Sequence, residues 1–270
     1  MKLILVYLGC NVMTILFDKT DDIARISLNR PDVHNAFNDE MINDLLQIFL
    51  KIENDEEIKV VILSANGKNF SAGADLNWMK EAAKYSYEDN LKDAQKLSDM
   101  LDTLYNLPQI TIANVQGAAK GGGLGLMCCC DIVVADENSH YAFSEVKLGL
   151  VPATISPFVI NAIGVRQAKR YFQTGEVITA SKGQEIGLVH EVANNTQECH
   201  QVVEDMIKNI SLNAPLAMKA SKRLLDNYRI STEMRQQTAE LIAKTRAGKE
   251  AKEGLSAFLE KRKPDWKKNV

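Results

Sequence analysis

Val115-Gln116-Gly117-Ala118-Ala119-Lys120-Gly121-Gly122-Gly123-Leu124-Gly125-Leu126 is the stretch on which the reading of this chain turns. The β-branched, apolar run from Ile110 to Val115 leads into it and predicts a short buried strand. Three consecutive glycines follow, then an apolar run able to continue as a helix. Without a Cβ, the backbone there admits a ligand atom at close range and tolerates positive φ. Free N–H groups and the dipole at a helix start favour negative charge. The stretch is thus suited to presenting amide donors to an anion. Phosphate is one candidate, and a carbonyl oxygen that gains charge during reaction is another. An isolated triple glycine is equally a hinge or a tight packing point, so its surroundings must separate these readings.

Working outward, the chain has 270 residues, 46% hydrophobic and 25% charged, the composition of an ordinary globular protein. A formal net charge of −3 gives no basic face for nucleic acid. Among five cysteines, Cys128-Cys129-Cys130 lack the spacing of a zinc site or a disulfide framework, and read as small buried residues in a reducing compartment. Met1-Lys2 and the apolar run Leu3–Leu8 fall short of the ~7–15-residue apolar core of a signal peptide. Residues 1–12 are expected to be a disordered extension, and the protein to be cytoplasmic, with no membrane-spanning segment.

Thr14–Asp18 and Ile23–Leu28 predict a hairpin, and Asn38 is placed to cap a helix from Asp39 to about Lys51. Ile58–Leu63 predicts a buried strand, followed by a polar loop from Ser64 to Gly73. Tyr85–Leu107 predicts a long amphipathic helix stopped by Pro108, and Asp131–Ala135 a further strand. Beyond Glu145 the pattern turns mostly helical: Ser156–Ile163, Val165–Thr174, Ser181–Ile186, Gln197–Asn209, Pro215–Tyr228, Glu233–Ala247 and Glu250–Lys261. The expectation is an α/β core over 13–200 and a helical carboxy-terminal region over 201–270.

Two loops at the carboxy ends of predicted strands offer chemistry, the edge where α/β sheets bind ligands. One carries Ala72-Gly73-Ala74 and the other Gly121-Gly122-Gly123. If they meet, amides from both can grip one oxygen, an oxyanion hole made without side chains. Glu145, just past the strand-like Tyr141-Ala142-Phe143 in apolar surroundings, is the candidate acid/base. Other machinery is excluded or weak. Phe70-Ser71-Ala72-Gly73 lacks the first glycine of a nucleophile elbow, and Ser144–Lys147 matches Ser-x-x-Lys without its companion motifs. Lys120 precedes the glycines instead of following them, so there is no Walker A loop. The four histidines are scattered without metal spacing.

The motifs resemble those of the crotonase (enoyl-CoA hydratase/isomerase) superfamily. The match runs through Asn29-Arg30-Pro31…Asn35-Ala36, Phe70-Ser71-Ala72-Gly73-Ala74-Asp75-Leu76, Gly117…Gly121-Gly122-Gly123…Cys130-Asp131 and Glu145…Gly149-Leu150-Val151-Pro152. Gly187-Leu188-Val189 and Glu253-Gly254-Leu255-Ser256-Ala257-Phe258 extend it almost to the end. The resemblance implies a ββα superhelix core, carboxy-terminal trimerisation helices, and trimers often paired as hexamers. It implies an acyl-CoA thioester as substrate, with no separate cofactor, its carbonyl oxygen held by the amides of Ala74 and Gly122. Glu145 matches the family's second catalytic glutamate. Val33, His34, Ala36, Ala72, Asp75, Leu76, Trp78, Gly121, Gly125 and Lys147 are implied to line the substrate site, with the adenine end near Val33–Ala36 and Ala72.

One departure matters. Two-glutamate hydratases of the family carry a glutamate where this chain has Gly125. One-glutamate members include Δ3,Δ2-enoyl-CoA isomerases, which shuttle a single proton. Yet Ala74–Lys80 and Glu145–Pro157 resemble bacterial methylglutaconyl-CoA hydratases of leucine breakdown, which also have glycine there. Lys120 and Lys147 are candidates to meet a second carboxylate on such a substrate. Hydratase is the first expectation and isomerase the second. A catalytically silent CoA-binding protein is the third, weakened by the joint presence of Glu145 and both glycine loops.

Overall fold

The computed structural model describes residues 13–225 and 231–265, so the expectation for residues 1–12 lies outside the described residues. Strands β1 (Ile15–Thr20) and β2 (Ile23–Leu28) form the expected antiparallel hairpin. Asn38 begins α1 (Asp39–Glu53), its side-chain oxygen accepting the Met41 N–H at 3.0 Å, which satisfies one of the helix's free donors. Strand β3 (Val60–Ala65) then pairs parallel to β2. Helices α2 (Leu76–Ala82) and α3 (Tyr87–Asn106) cross over to β4 (Ile110–Val115), parallel to β3.

Next comes β5 (Ala118–Lys120), three residues that the sequence pattern hid, and then α4 (Gly122–Cys129). Strands β6 (Ile132–Asp136) and β7 (His140–Ala142) lead to a 3-10 turn over Glu145–Leu148. Helix α5 (Ser156–Thr174) joins the two predicted helical segments across a kink at Gly164, whose φ is 73°. Then follow β8 (Ile178–Thr179), α6 (Ala180–Glu185), β9 (Glu191–Ala193) and α7 (Thr196–Ser211). The carboxy-terminal helices are α8 (Pro215–Arg223), α9 (Thr232–Ala247) and α10 (Lys249–Leu259). The predicted segment Pro215–Tyr228 ends early, as α8 stops at Arg223 and residues from 226 lie outside the described part.

The strands build two sheets, one in the order β1-β2-β3-β4-β6-β9 and a smaller one in the order β5-β7-β8. Both faces of the larger sheet are covered at its centre, which is why β3, β4 and β6 read as largely apolar runs. One face packs Ile26, Leu63, Ala113 and Val133 against α1, α3, α4 and α5. On the other, Val60, Ile62, Ile112 and Val134 meet Cys199, Val203 and Ile207 of α7. The boundary expected at 200/201 thus falls inside a helix that belongs to the sheet's core. Among the described residues, no helix is long and apolar enough to cross a membrane.

The helical region is tied back to the core by charge. Lys222 on α8 donates to the Gln109 carbonyl at 2.8 Å and to Asp131 at 2.6 Å. Helix α9 lies along α3, with Arg235 at 3.2 Å from Asp102 and Arg246 at 2.6 Å from Asp93.

Candidate active site

The first glycine loop is fixed by one buried side chain and by backbone bonds. Asn35, fully buried at a φ of 53°, accepts the Arg30 N–H at 2.7 Å. Its amide nitrogen donates to the carbonyls of Asn66 and Asn69, each at 2.9 Å. That one side chain staples the loop at 30–36 to the loop at 66–73. The Phe37 N–H donates to the Gly73 carbonyl at 2.7 Å, and the Asp75 N–H donates to the Phe37 carbonyl at 2.8 Å. Both bonds flank Ala74, so its own N–H points to the opposite side, away from Phe37 and free for a ligand.

The second loop starts where β5 ends. Gly121 takes φ 49° and ψ −123°, a conformation glycine reaches without the Cβ penalty, and α4 begins at Gly122. As the first helical residue, Gly122 has no carbonyl within the helix to receive its N–H. The loops touch: a Cβ on Gly121 would stand 3.7 Å from the Gly73 Cα and 3.6 Å from Glu145 Oε1. A Cβ on Gly122 would come within 2.5 Å of the Phe37 ring, and one on Gly123 within 2.6 Å of the Ser71 Cβ. The triple glycine is therefore both a donor site and a packing point.

Glu145 opens the 3-10 turn after β7. Its Oε2 is buried without a hydrogen-bond partner among the described residues, and burial pushes the carboxyl up to about 7. A carboxyl at that value can take and return a proton near neutral pH. The turn is clamped from α10. A Cβ on Gly149 would meet the Glu250 carbonyl oxygen at 2.5 Å, and Gly254 leaves room only for the Leu148 carbonyl, which a Cβ would strike. Only glycine lets these backbones approach so closely.

These parts surround a cavity of about 980 Å³. Val33, His34, Ala36, Ala72, Ala74, Asp75, Leu76, Trp78, Gly121, Gly122, Glu145 and Lys147 all line it. The structure assigns several of them narrower tasks. The Asp75 carboxylate caps α2, accepting from the Asn77 N–H at 2.8 Å, and pairs with Arg30 at 2.9 Å. Burial acts to raise its pKa, but the Asn77 and Arg30 bonds outweigh that and hold it low. Its charge is spent on the loop. Lys147 is exposed, with its Cε packed beside Gly175.

Gly125 is different: it does not line the cavity. It sits inside α4, where a Cβ would stand 2.6 Å from Ile155 Cγ2 and 3.2 Å from Leu101 Cδ1. The space a longer side chain would need is filled, and it is Ile155 that reaches the cavity. The neighbouring Cys128 is also buried in this helix, its thiol pushed up to about 12 by burial and so chemically quiet.

Local sequence patterns missed the far wall. Ile242 and Arg246 of α9, and Leu255 and Phe258 of α10, also line the cavity. They lie about a hundred residues from Glu145, and no local pattern ties a helical arginine to a glycine loop. The one signal was the family match over Glu253–Phe258, which takes in Leu255 and Phe258 but neither residue of α9.

Residues 18–269 match the family model for enoyl-CoA hydratase/isomerase. The crystal structure of an enoyl-CoA hydratase from Shewanella pealeana is similar at a TM-score of 0.76 and 41% identity, covering 94% of this chain and 96% of that one. A 2,3-dehydroadipyl-CoA hydratase of Escherichia coli is 31% identical over 259 residues, 94% of this chain and 98% of the relative. An enoyl-CoA hydratase of Mycobacterium avium shares the fold at a TM-score of 0.82 and 29% identity, over 95% of this chain and all of that one.

Proposed function

The chain belongs to the enoyl-CoA hydratase/isomerase family of the crotonase superfamily, which acts on acyl-CoA thioesters, and from that premise we propose that it hydrates a 2-enoyl-CoA to a 3-hydroxyacyl-CoA. The observation that carries this reading is Glu145: a carboxyl pushed up to about 7 by burial, its Oε2 without a hydrogen-bond partner among the described residues, held beside the loops that present the Ala74 and Gly122 amides.

In this reading the thioester carbonyl sits between the two N–H groups, which stabilise the negative charge that develops on its oxygen. Glu145 takes a proton from water as the hydroxide oxygen bonds to C3, and the electron pair of the double bond moves onto the thioester as an enolate. The protonated Glu145 then delivers that proton to C2, so one carboxyl serves both steps. The filled space around Gly125 favours such one-carboxylate chemistry. Coenzyme A enters and leaves as part of the substrate, and no further cofactor is needed.

For the acyl group we propose 3-methylglutaconyl-CoA, on the pattern around Trp78 and Glu145–Pro157 and the relative that is a 2,3-dehydroadipyl-CoA hydratase. We also propose a cytoplasmic homotrimer or pair of trimers, because Leu216, Leu224 and Leu241 of the carboxy-terminal region are exposed on the single chain. The isomerase is the second reading. There Glu145 would move a proton from C2 to C4 of a 3-enoyl-CoA, with the same hole and no water.

Purified protein assayed against a panel of thioesters, with products separated by chromatography, distinguishes these. Hydratase activity yields the 3-hydroxyacyl-CoA, with a higher kcat/KM for 3-methylglutaconyl-CoA than for crotonyl-CoA. Preference for crotonyl-CoA would end the branched-acid assignment. Conversion of a 3-enoyl-CoA to its 2-enoyl isomer without hydration would make the isomerase correct.

A further inference from the structure

We propose that Arg246, with the indole N–H of Trp78, forms a recognition site for a carboxylate at the far end of the acyl chain, opposite the thioester. This rests on the acyl-CoA reading of the cavity and adds the residues that select the chain's end. Three elements converge there: Trp78 on α2, Asp93 and Leu97 on α3, and Ile242 and Arg246 on α9. Trp78, Leu97, Ile242 and Arg246 all line the same cavity as Gly121, Gly122 and Glu145.

The chemistry of this wall is one-sided. Trp78 Nε1 is buried with no hydrogen-bond partner among the described residues. A native buried donor without a partner calls for a specific explanation. The Arg246 guanidinium carbon lies 5.4 Å from the Trp78 ring centroid. Its Nη1 donates to Asp93 Oδ2 at 2.6 Å, the only side-chain hydrogen bond of this arginine among the described residues. A guanidinium has five N–H groups in a rigid fork, so one edge can rest on Asp93 while the other faces the cavity.

The Arg246–Asp93 pair ties α9 to α3, but a buried ion pair is not the usual means of stabilising such a contact. Replacing a buried ion pair by well-packed apolar residues is often neutral or stabilising. An alkyl acyl chain would be served by Leu97 and Ile242 alone. The indole N–H, without a partner among the described residues, and the guanidinium edge turned from Asp93 suit a ligand that accepts, and a planar fork matches a carboxylate best. Asp93 and the Trp78 ring hold that fork in place before the ligand arrives. This assigns the distal carboxylate to Arg246, in preference to Lys147, which lies exposed beside Gly175.

Glutaryl-CoA and pentanoyl-CoA test this, being saturated thioesters of equal chain length that differ at the terminus. Titration calorimetry on the full chain gives both Kd values. The wild type should bind glutaryl-CoA at least about tenfold more tightly, the scale of one hydrogen bond to a charged group. In the double variant Asp93→Asn/Arg246→Met, which leaves no lone buried charge, the ratio should fall close to one. Trp78→Phe keeps most of the ring, removes the N–H and should lower the ratio to a smaller extent. It also decides the matter if the double variant does not fold. A wild-type ratio near one, or a ratio unchanged in the variants, overturns the proposal. Neither ligand can be hydrated, so these outcomes stand apart from the enoyl-CoA assay, in which a failure of the hydratase reading would show.

Discussion

The two walls of the cavity are built differently. The glycine-loop wall presents almost only backbone: the Phe37 bonds and the β5 register fix Ala74, Gly121 and Gly122 through main-chain atoms, with the Asn35 side chain stapling the loops from behind. The opposite wall is side chains on helices, with Trp78 from α2, Ile242 and Arg246 from α9 and Phe258 from α10. Backbone donors serve whatever enters the site, because every substrate of this class carries the same thioester. Side chains serve discrimination, since only the acyl end differs between substrates. Glu145 belongs to neither wall, being attached to the sheet by β7 and clamped by α10.

The backbone wall should be the least tolerant of change. Gly122→Pro removes one donor and drives new atoms into the Phe37 ring, so kcat should fall by ~10³-fold or more, at or beyond the upper range for losing one oxyanion donor. Circular dichroism must show the fold retained, and a folded, active Gly122→Pro protein would rule out the hole. Next in size, Glu145→Gln keeps shape but cannot transfer a proton. Turnover should drop by ~10²- to 10⁴-fold with CoA-ester affinity largely kept. Near-normal turnover would remove Glu145 from the mechanism.

A smaller effect is expected where the helical part holds the catalytic turn. Gly254→Ala adds a methyl that must displace the Leu148 carbonyl, and with it the turn that carries Glu145. A shift approaching 1 Å costs up to ~10²-fold in kcat. The loss should appear in kcat more than in KM, since neither oxyanion donor moves. If kcat is unchanged, α10 is only a cover and the turn is held by the core alone.

The same contrast explains what the sequence revealed. Strands β1 to β4 and α1 were readable because local cues coincide there: Asn38 caps, apolar residues recur at helical spacing, β2 alternates, and β3 and β4 are largely apolar runs. The glycine loops were readable because three glycines in a row have few uses. Strand β5 escaped because three residues carry no period, and its pairing with β7 is set by tertiary contact. Gly125 was misplaced into the substrate site because spacing along a chain does not tell which way a helix faces. Here α4 turns that position toward Leu101 and Ile155. Arg246 was invisible for a related reason, since its partner Asp93 is 153 residues away. Gly254 stood out only through family resemblance, and the close approach to Leu148 gives it a physical role.

The smallest effect separates a carboxyl kept for chemistry from one kept for stability. Burial raises Glu145 from 4.5 to about 7, so the folded chain binds this proton more tightly than the unfolded chain does. Stability then falls as pH rises from about 4.5 to about 7, and the cost is fully present above that window. At 1.36 kcal/mol per pKa unit the cost is at most about 3 kcal/mol. Gln carries no such charge, so Glu145→Gln should melt at a higher temperature than the wild type at pH 8, and the gap should close towards pH 4. Catalysis runs the other way. A base must be ionised, so wild-type kcat/KM should rise with pH through about 7, the value of this carboxyl in the free protein. Melting curves across pH 4–8 on both proteins measure the first trend, and a pH–rate profile the second. If Glu145→Gln is less stable than the wild type at pH 8, a partner offsets the burial of the carboxylate in the folded protein, and the raised, poised state on which the hydration chemistry depends is wrong.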